Sequence, residues 1–164
     1  MYDYLNRKHR RNQYNTKILD YNCGGYALRT YNWYSPYNYD REVIVEELIY
    51  EGFSEEEIYN ILLKEDVDNM LYDFEGRLRL IDTEEEANSD EIVIAYRIFI
   101  DFCLDNNKLY YEDSDFHYRV KNNGVWFEKN GDSEIHTVKE NIIEPWITQC
   151  GTYDSDLVLM ALKI

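Results

Sequence analysis

Two kinds of hydrophobic spacing divide the chain, a helical period in its first half and a period of two in its second. Apolar residues recur at three- and four-residue intervals over Arg41–Tyr50, which predicts a helix. Ser54 and Glu57 have the spacing of a capping box, so a second helix is predicted to begin at Glu55. We expect a further helical piece after Asp66.

After Gly76 the apolar residues alternate with polar ones, which predicts strands. Residues 92–100 form the most apolar run, and its β-branched side chains favour a central strand buried on both faces. Cys103 follows this run and is expected to pack in or near the core. Further strands are predicted over residues 135–138 and 156–164. The chain is therefore expected to form an α+β domain with an N-terminal helix, a helical middle and a mostly antiparallel sheet.

A hairpin is predicted where two alternating runs flank Asn122-Asn123-Gly124, because asparagine and glycine tolerate the positive φ of tight turns. In a two-residue loop, His117 shares a face with Glu128 and Asn130, and Glu128 lies opposite it or diagonally adjacent. A three-residue bulged loop would change that pairing. A carboxylate or amide beside a histidine can hold the ring in one tautomer.

A cysteine stands at another predicted helix start. Asn22 is a good N-cap residue, and the helix that follows is expected to end near Pro36. Cys23 then lies in the first turn, where free N–H groups and the helix dipole can lower a thiol pKa. Gly24 and Gly25 disfavour a simple structural helix and predict a close approach by a substrate or a packed strand. An inert buried cysteine is the alternative interpretation.

Composition limits the classes of function. The 164 residues carry a formal net charge of −16, with a pI near 4.5, which argues against general binding to nucleic acid or anionic membranes. A basic cluster within residues 1–14 predicts an N-terminal arm, followed by one domain over residues 15–164. No apolar run has the length of a membrane span.

The three cysteines are widely separated and odd in number, which is not typical of a disulfide framework or a paired zinc site. We therefore expect a reducing cytoplasm as the setting. His136 and the cysteines fall in no ligand spacing, so no metal or other cofactor is predicted. Cys150, followed by Gly151, is a weaker alternative nucleophile.

Together, the cysteine helix and the histidine hairpin resemble those of the papain-like cysteine hydrolases, including the NlpC/P60 branch. The stretch Asn22-Cys23-Gly24-Gly25-Tyr26-Ala27-Leu28 resembles the nucleophile helix of this superfamily. Residues 115–119 and 124–126 resemble its histidine hairpin, in a version found in small phage and bacterial proteins. In that version, the second strand carries a histidine where this chain has Glu128.

The resemblance implies a papain-like fold and a set of catalytic roles. The Cys23 thiolate would attack a carbonyl carbon, and His117 would protonate the leaving amine. Glu128, or alternatively Asn130, would orient the imidazole.

The same resemblance implies an oxyanion site. Its donors would be the backbone N–H of Cys23 and a second group, for which Asn22 and Tyr21 are the nearest candidates.

The expected function is hydrolysis of an amide bond, in a peptide or a peptidoglycan-type substrate. The alternative is a catalytically inactive or non-enzymatic phage-encoded protein that binds, inhibits or sequesters a partner on the same fold. In both cases the expected partner is a protein or peptide, with membrane and nucleic acid disfavoured. The oligomeric state stays open.

Overall fold

Three helices come before the sheet in the computed structural model, which describes residues 20–164. They are α1 (Cys23–Ala27), α2 (Arg41–Tyr50) and α3 (Glu55–Asp73). None of the helices in this part of the chain is long and apolar enough to cross a membrane. The predicted basic arm over residues 1–14 lies outside the described residues.

Local sequence begins the two longer helices. Asp40 accepts a hydrogen bond from the backbone N–H of Glu42 at 3.0 Å, and Ser54 forms the predicted capping box with Glu57. The helix α3 then continues unbroken for 19 residues, so the prediction of a separate piece after Asp66 is wrong. Asp66 is buried and accepts hydrogen bonds from two core side chains, so it faces the core instead of interrupting the helix.

The strands form one sheet of six and one of two. The six-stranded sheet is antiparallel and has the order β1-β8-β2-β3-β4-β5, and β6 pairs with β7 separately. The strands are β1 (Leu78–Ile81), β2 (Glu91–Asp105), β3 (Lys108–Asn122), β4 (Val125–Lys129), β5 (Ile135–Val138), β6 (Trp146–Ile147), β7 (Thr152–Tyr153) and β8 (Val158–Lys163). The prediction of a central strand is confirmed, because β2 lies between β8 and β3 and its residues 92–100 are buried. The α+β class is also confirmed.

The two faces of the sheet bury different clusters. Ile94 and Tyr96 of β2 belong to the large core that includes the helices. Ala95 and Phe99, which alternate with them, pack with Trp146 in a smaller cluster. The β6–β7 pair therefore lies on the second face of the sheet and covers part of it.

The expectation that Cys103 packs in the core is wrong. The ends of β2 and β3 nearest their connecting turn are mostly exposed, and Cys103 is exposed with them. The turn contains Asn106 and Asn107, with φ of 52° and 62°. Phe102 packs against the core that includes the helices, so its neighbour Cys103 points to the second face of the sheet, and apolar spacing alone did not indicate which face is covered here.

The helix α1 is shorter than predicted, since it ends at Ala27 rather than near Pro36. The carbonyl of Gly25 accepts hydrogen bonds from the backbone N–H groups of Thr30 and Tyr31, at 3.1 and 3.0 Å. These bonds turn the chain back over the helix. A Cβ added at Gly25 would lie 1.9 Å from the carbonyl oxygen of Asn32, so only glycine fits.

We expect Gly25→Ala to lower the free energy of unfolding by about 3 kcal/mol or more, because the new methyl group would displace backbone. Gly52→Ala is the matched control. Gly52 has a positive φ of 92°, which disfavours other residues, but no atom lies within 4 Å of an added Cβ. That control should lose only about 1–2 kcal/mol. Urea denaturation of both variants measures the difference, and equal losses would contradict the close contact at Gly25.

Candidate active site

A cavity of about 190 Å³ brings the predicted cysteine and histidine together. Its walls come from the start of α1 and the loop after it, from β3, from the segment that follows β4 and from the β6–β7 hairpin. The lining residues are Asn22, Cys23, Trp33, Asp115, Phe116, His117, Asn130, Gly131, Cys150 and Tyr153.

The early end of β4 creates the space for this cavity. The strand β4 pairs only with residues 119–122 of β3, so the preceding residues of β3 have no β4 neighbour. The helix α1 packs beside that free edge. A Cβ on Gly24 would lie 3.2 Å from the ring of Tyr118 and 3.1 Å from the carbonyl of Tyr34. The predicted close approach at Gly24 is thus made by β3 and by the loop that follows α1.

Asn22 holds the start of α1 against that loop. Its Oδ1 accepts hydrogen bonds from the backbone N–H of Gly25 at 2.9 Å and of Tyr34 at 3.1 Å, and its Nδ2 donates to the Tyr34 carbonyl at 2.7 Å. The predicted N-cap is confirmed. The oxyanion role stays a prediction for both candidates: the Asn22 amide is engaged with Tyr34, and Tyr21 does not line the cavity.

The histidine hairpin has the two-residue loop that the sequence favours. Asn123 and Gly124 form the loop, with φ of 51° and 79°. Glu128 therefore pairs with Arg119 and lies diagonally adjacent to His117. Nε2 of His117 and Oε2 of Glu128 are 2.8 Å apart, so the structure places the predicted carboxylate against the imidazole.

Asn130 takes no part in this contact. It follows the end of β4 and lines the cavity. No hydrogen bond joins it to His117 in the described part of the chain. The orienting partner of the ring is Glu128.

Glu128 also accepts hydrogen bonds from Nε of Arg119 at 2.9 Å and from Nε2 of His136 at 2.9 Å. Burial alone would raise the pKa of Glu128, but the hydrogen bonds and charges of His117 and Arg119 lower it to about 2. The sequence reasoning missed His136. A signal existed, because alternation along β5 puts His136 opposite Glu128.

The ionised Glu128 determines which ring nitrogen of His117 carries a hydrogen. A carboxylate is only an acceptor, so Nε2 of His117 must carry the hydrogen. The other nitrogen, Nδ1, is then free to accept a proton when the imidazole is neutral. The ring is held from other sides by Tyr153, with centroids 5.2 Å apart, and by Trp146 at 6.1 Å.

The low thiol pKa predicted for Cys23 is not what the structure gives. Burial raises the pKa of Cys23 to about 12, and the nearby charge of Asp115 acts in the same direction. The backbone amides of Tyr118 and Gly24 and the charge of Lys129 oppose this rise. Because α1 has five residues, its dipole is too weak to offset burial of a side chain that is only 6% exposed.

No hydrogen bond joins the Cys23 sulfur to either ring nitrogen of His117 among residues 20–164. The two side chains line the same cavity. The thiol is therefore neutral in this arrangement, and its ionisation needs a base.

Cys150, the alternative nucleophile, lines the same cavity and is exposed. Burial and the charges of Asp115 and Asp113 raise its pKa. Asp115 is itself held by the hydroxyl of Tyr153, which donates to Oδ2 at 2.6 Å. The sequence reasoning did not identify Asp115 as part of the site.

Within residues 20–164, no three histidine, cysteine, aspartate or glutamate side chains are grouped so that they could hold a metal ion. When compared with protein-family models, curated proteins and solved structures, the chain matches none of them.

The low pKa of Glu128 predicts a loss of stability in acid. Its folded pKa of about 2 lies below the ordinary value of 4.5, so its contribution is complete above pH 4.5 and disappears as the pH falls towards 2. Glu128→Gln should remove about 2–3 kcal/mol at pH 7 and almost nothing near pH 2.

Urea denaturation at a series of pH values measures this convergence. Glu112→Gln, which changes an exposed carboxylate on β3, is the control and should run parallel to the wild type. If the free energies of unfolding of Glu128→Gln and the wild type differed by the same amount at every pH, the partners of Glu128 would not be lowering its pKa.

Proposed function

We propose that this protein is a papain-like cysteine hydrolase that cleaves an amide bond. The observation that carries the proposal is the cavity shared by Cys23 and His117, with Nε2 of the imidazole anchored on the Glu128 carboxylate. A nucleophile, a base and a group that orients the base are the parts that thiol acyl transfer requires.

The chemistry begins with a neutral thiol, on which His117 acts in the neutral form of its imidazole. As the Cys23 sulfur attacks the carbonyl carbon, Nδ1 of His117 takes the thiol proton, and the positive charge on the ring is stabilised by Glu128. The imidazolium then gives this proton to the leaving amine, which leaves a thioester on Cys23. Water attacks the thioester, again with His117 as the base, and releases the acid.

The proposed substrate is a peptide or a peptidoglycan-type fragment. The cavity has aromatic walls from Trp33 and Tyr153 and a carboxylate from Asp115, which suits a short peptide segment better than an extended apolar ligand. A cytoplasmic setting, in a bacterial host cell if the protein comes from a phage, is part of the proposal. It is supported by three free cysteines in the described residues, two of them exposed.

A second candidate function is binding without catalysis, as in an inhibitor or sequestering protein. The observation that favours it is the neutral state of Cys23, whose ionisation is opposed by burial and by Asp115. In that case the cavity would hold a peptide segment of a protein partner, and the thiol would be a packing group.

Hydrolysis is tested with mixed peptides and with peptidoglycan fragments in water enriched in heavy oxygen. The wild type should introduce heavy oxygen into newly formed carboxyl groups, detected by mass spectrometry. Cys23→Ser and His117→Ala should each reduce this turnover by about 10³-fold or more, because each removes a reacting group. Cys103→Ser is the matched control and should keep full activity, since Cys103 lies far along β2 and is exposed.

If neither substrate pool is cleaved, while the Cys23→Ser variant keeps the biological effect of the wild type, the binding function is supported and the hydrolase proposal fails.

Glu128→Gln separates orientation of the ring from its electrostatic support. The amide keeps the shape but loses the charge, so we expect a partial loss of turnover, about 10–10²-fold. Asn130→Ala should have the smaller effect, because Asn130 makes no hydrogen bond to His117 in the described chain. The reverse order of the two effects would contradict the assignment of Glu128.

A further inference from the structure

Lys129, the last residue of β4, is a fully buried side chain near the site that the mechanism does not use. It is 0% exposed, and its ammonium donates hydrogen bonds to the backbone carbonyls of Tyr21 and Gly131. The ammonium also lies 4.7 Å from the centre of the Tyr21 ring. One cation therefore joins the segment that leads into α1 to the segment that follows β4.

No salt bridge connects Lys129 to a carboxylate within residues 20–164. A buried ammonium without a paired anion is costly, and burial accordingly lowers the pKa of Lys129 to about 8. Cys23 and Asp132 oppose this change, with Cys23 the larger of the two. The coupling is mutual, because the charge of Lys129 favours the Cys23 thiolate.

We propose that Lys129 is a positioning residue for the nucleophile: its ammonium fixes the backbone before Cys23 and supplies the positive charge that faces the Cys23 thiolate. This inference rests on the proposed role of Cys23 as the nucleophile. The anion that a buried Lys129 lacks in the resting site is the one that forms when Cys23 ionises. Its hydrogen bonds to two carbonyls keep the ammonium in place before that happens.

The other charged and titratable groups around Cys23 and Lys129 differ in whether they favour the charged forms of these two side chains. Asp115, from β3, disfavours the thiolate, and Asp132, after β4, favours the ammonium. His117 and Cys150 line the same cavity as Cys23. Lys129 is the lysine whose charge acts on Cys23 from within the core.

A pH profile of Cys23 reactivity tests the charge. In a background with Cys103→Ser and Cys150→Ser, Cys23 is the remaining thiol, and its alkylation by iodoacetamide is followed by mass spectrometry from about pH 6 to about pH 10. The rate should rise with pH and then flatten near pH 8, where Lys129 loses its proton and the thiolate loses its support. Lys129→Arg keeps the charge and should remove the flattening.

Lys129→Met keeps the length of the side chain but not the charge, and it should slow alkylation at pH 7 by about tenfold, also without the flattening. Lys121→Met is the matched control, because Lys121 lies on β3 and its ammonium pairs with Glu84 at 2.8 Å. That variant should follow the parent profile.

Equal alkylation rates in Lys129→Met and the parent, or a flattening near pH 8 that persists in Lys129→Arg, would overturn the proposal. If Lys129→Met does not fold by circular dichroism, the comparison of the parent with Lys129→Arg decides the question. Because the readout is thiol reactivity and not turnover, this inference can fail while hydrolysis is observed. The reverse is also possible, since a non-enzymatic protein could still show the coupling.

Discussion

The buried carboxylate of Glu128 is the interaction on which the arrangement of the site depends. An ionised carboxylate is stable in a protein interior only if donors surround it, and here Arg119 and His117 come from β3 and His136 from β5. These donors surround the carboxylate only in the observed register of the three strands. A shift by one residue would turn Glu128 to the opposite face and leave its partners without an anion. The same contacts that hold the sheet in register therefore also fix the orientation and tautomer of the imidazole.

The end of β4 is the second constraint, and Lys129 links it to the segment that leads into Cys23. Because β4 stops at this residue, the edge of β3 beyond it is free for α1. The buried ammonium then ties the approach to α1 to the turn after β4. Glu128 and Lys129 are neighbours whose side chains point to opposite faces of the sheet. One face receives the orienting carboxylate, and the other receives the cation beside Cys23.

The sequence allowed the regular elements and the hairpin to be predicted, because their determinants are local. The Ser54 capping box defined the start of α3, and Asn123-Gly124 defined the register that brings Glu128 to His117. The length of α1 was not predictable in this way, since it depends on the chain folding back over Gly25. Exposure of Cys103 depends on how much of the second face of the sheet is covered, which no local pattern records.

The site was predictable as a set of residues but not in its electrostatics. The hairpin spacing brought Glu128 to His117, and the resemblance to papain-like hydrolases added Cys23, yet the pKa of Cys23 depends on burial and on Asp115, which are properties of the assembled fold. The contribution of Lys129 was hidden for the same reason. A lysine in an alternating strand is usually exposed, and only the packing of Tyr21 and Gly131 around it shows otherwise.

The neutral thiol has a consequence for how such a site could react. In a preformed thiolate–imidazolium pair, the proton has moved before the substrate arrives, and the helix dipole and the imidazolium share the charge of the sulfur. Here burial and Asp115 oppose that separation, which favours a reaction in which the proton leaves Cys23 as the new bond to carbon forms. A base that acts in this concerted way has to be neutral and correctly oriented in the resting state. The contact between Glu128 and Nε2 of His117 supplies the orientation, because it directs Nδ1 away from the carboxylate, and the same carboxylate would stabilise the ring further once it took up the proton.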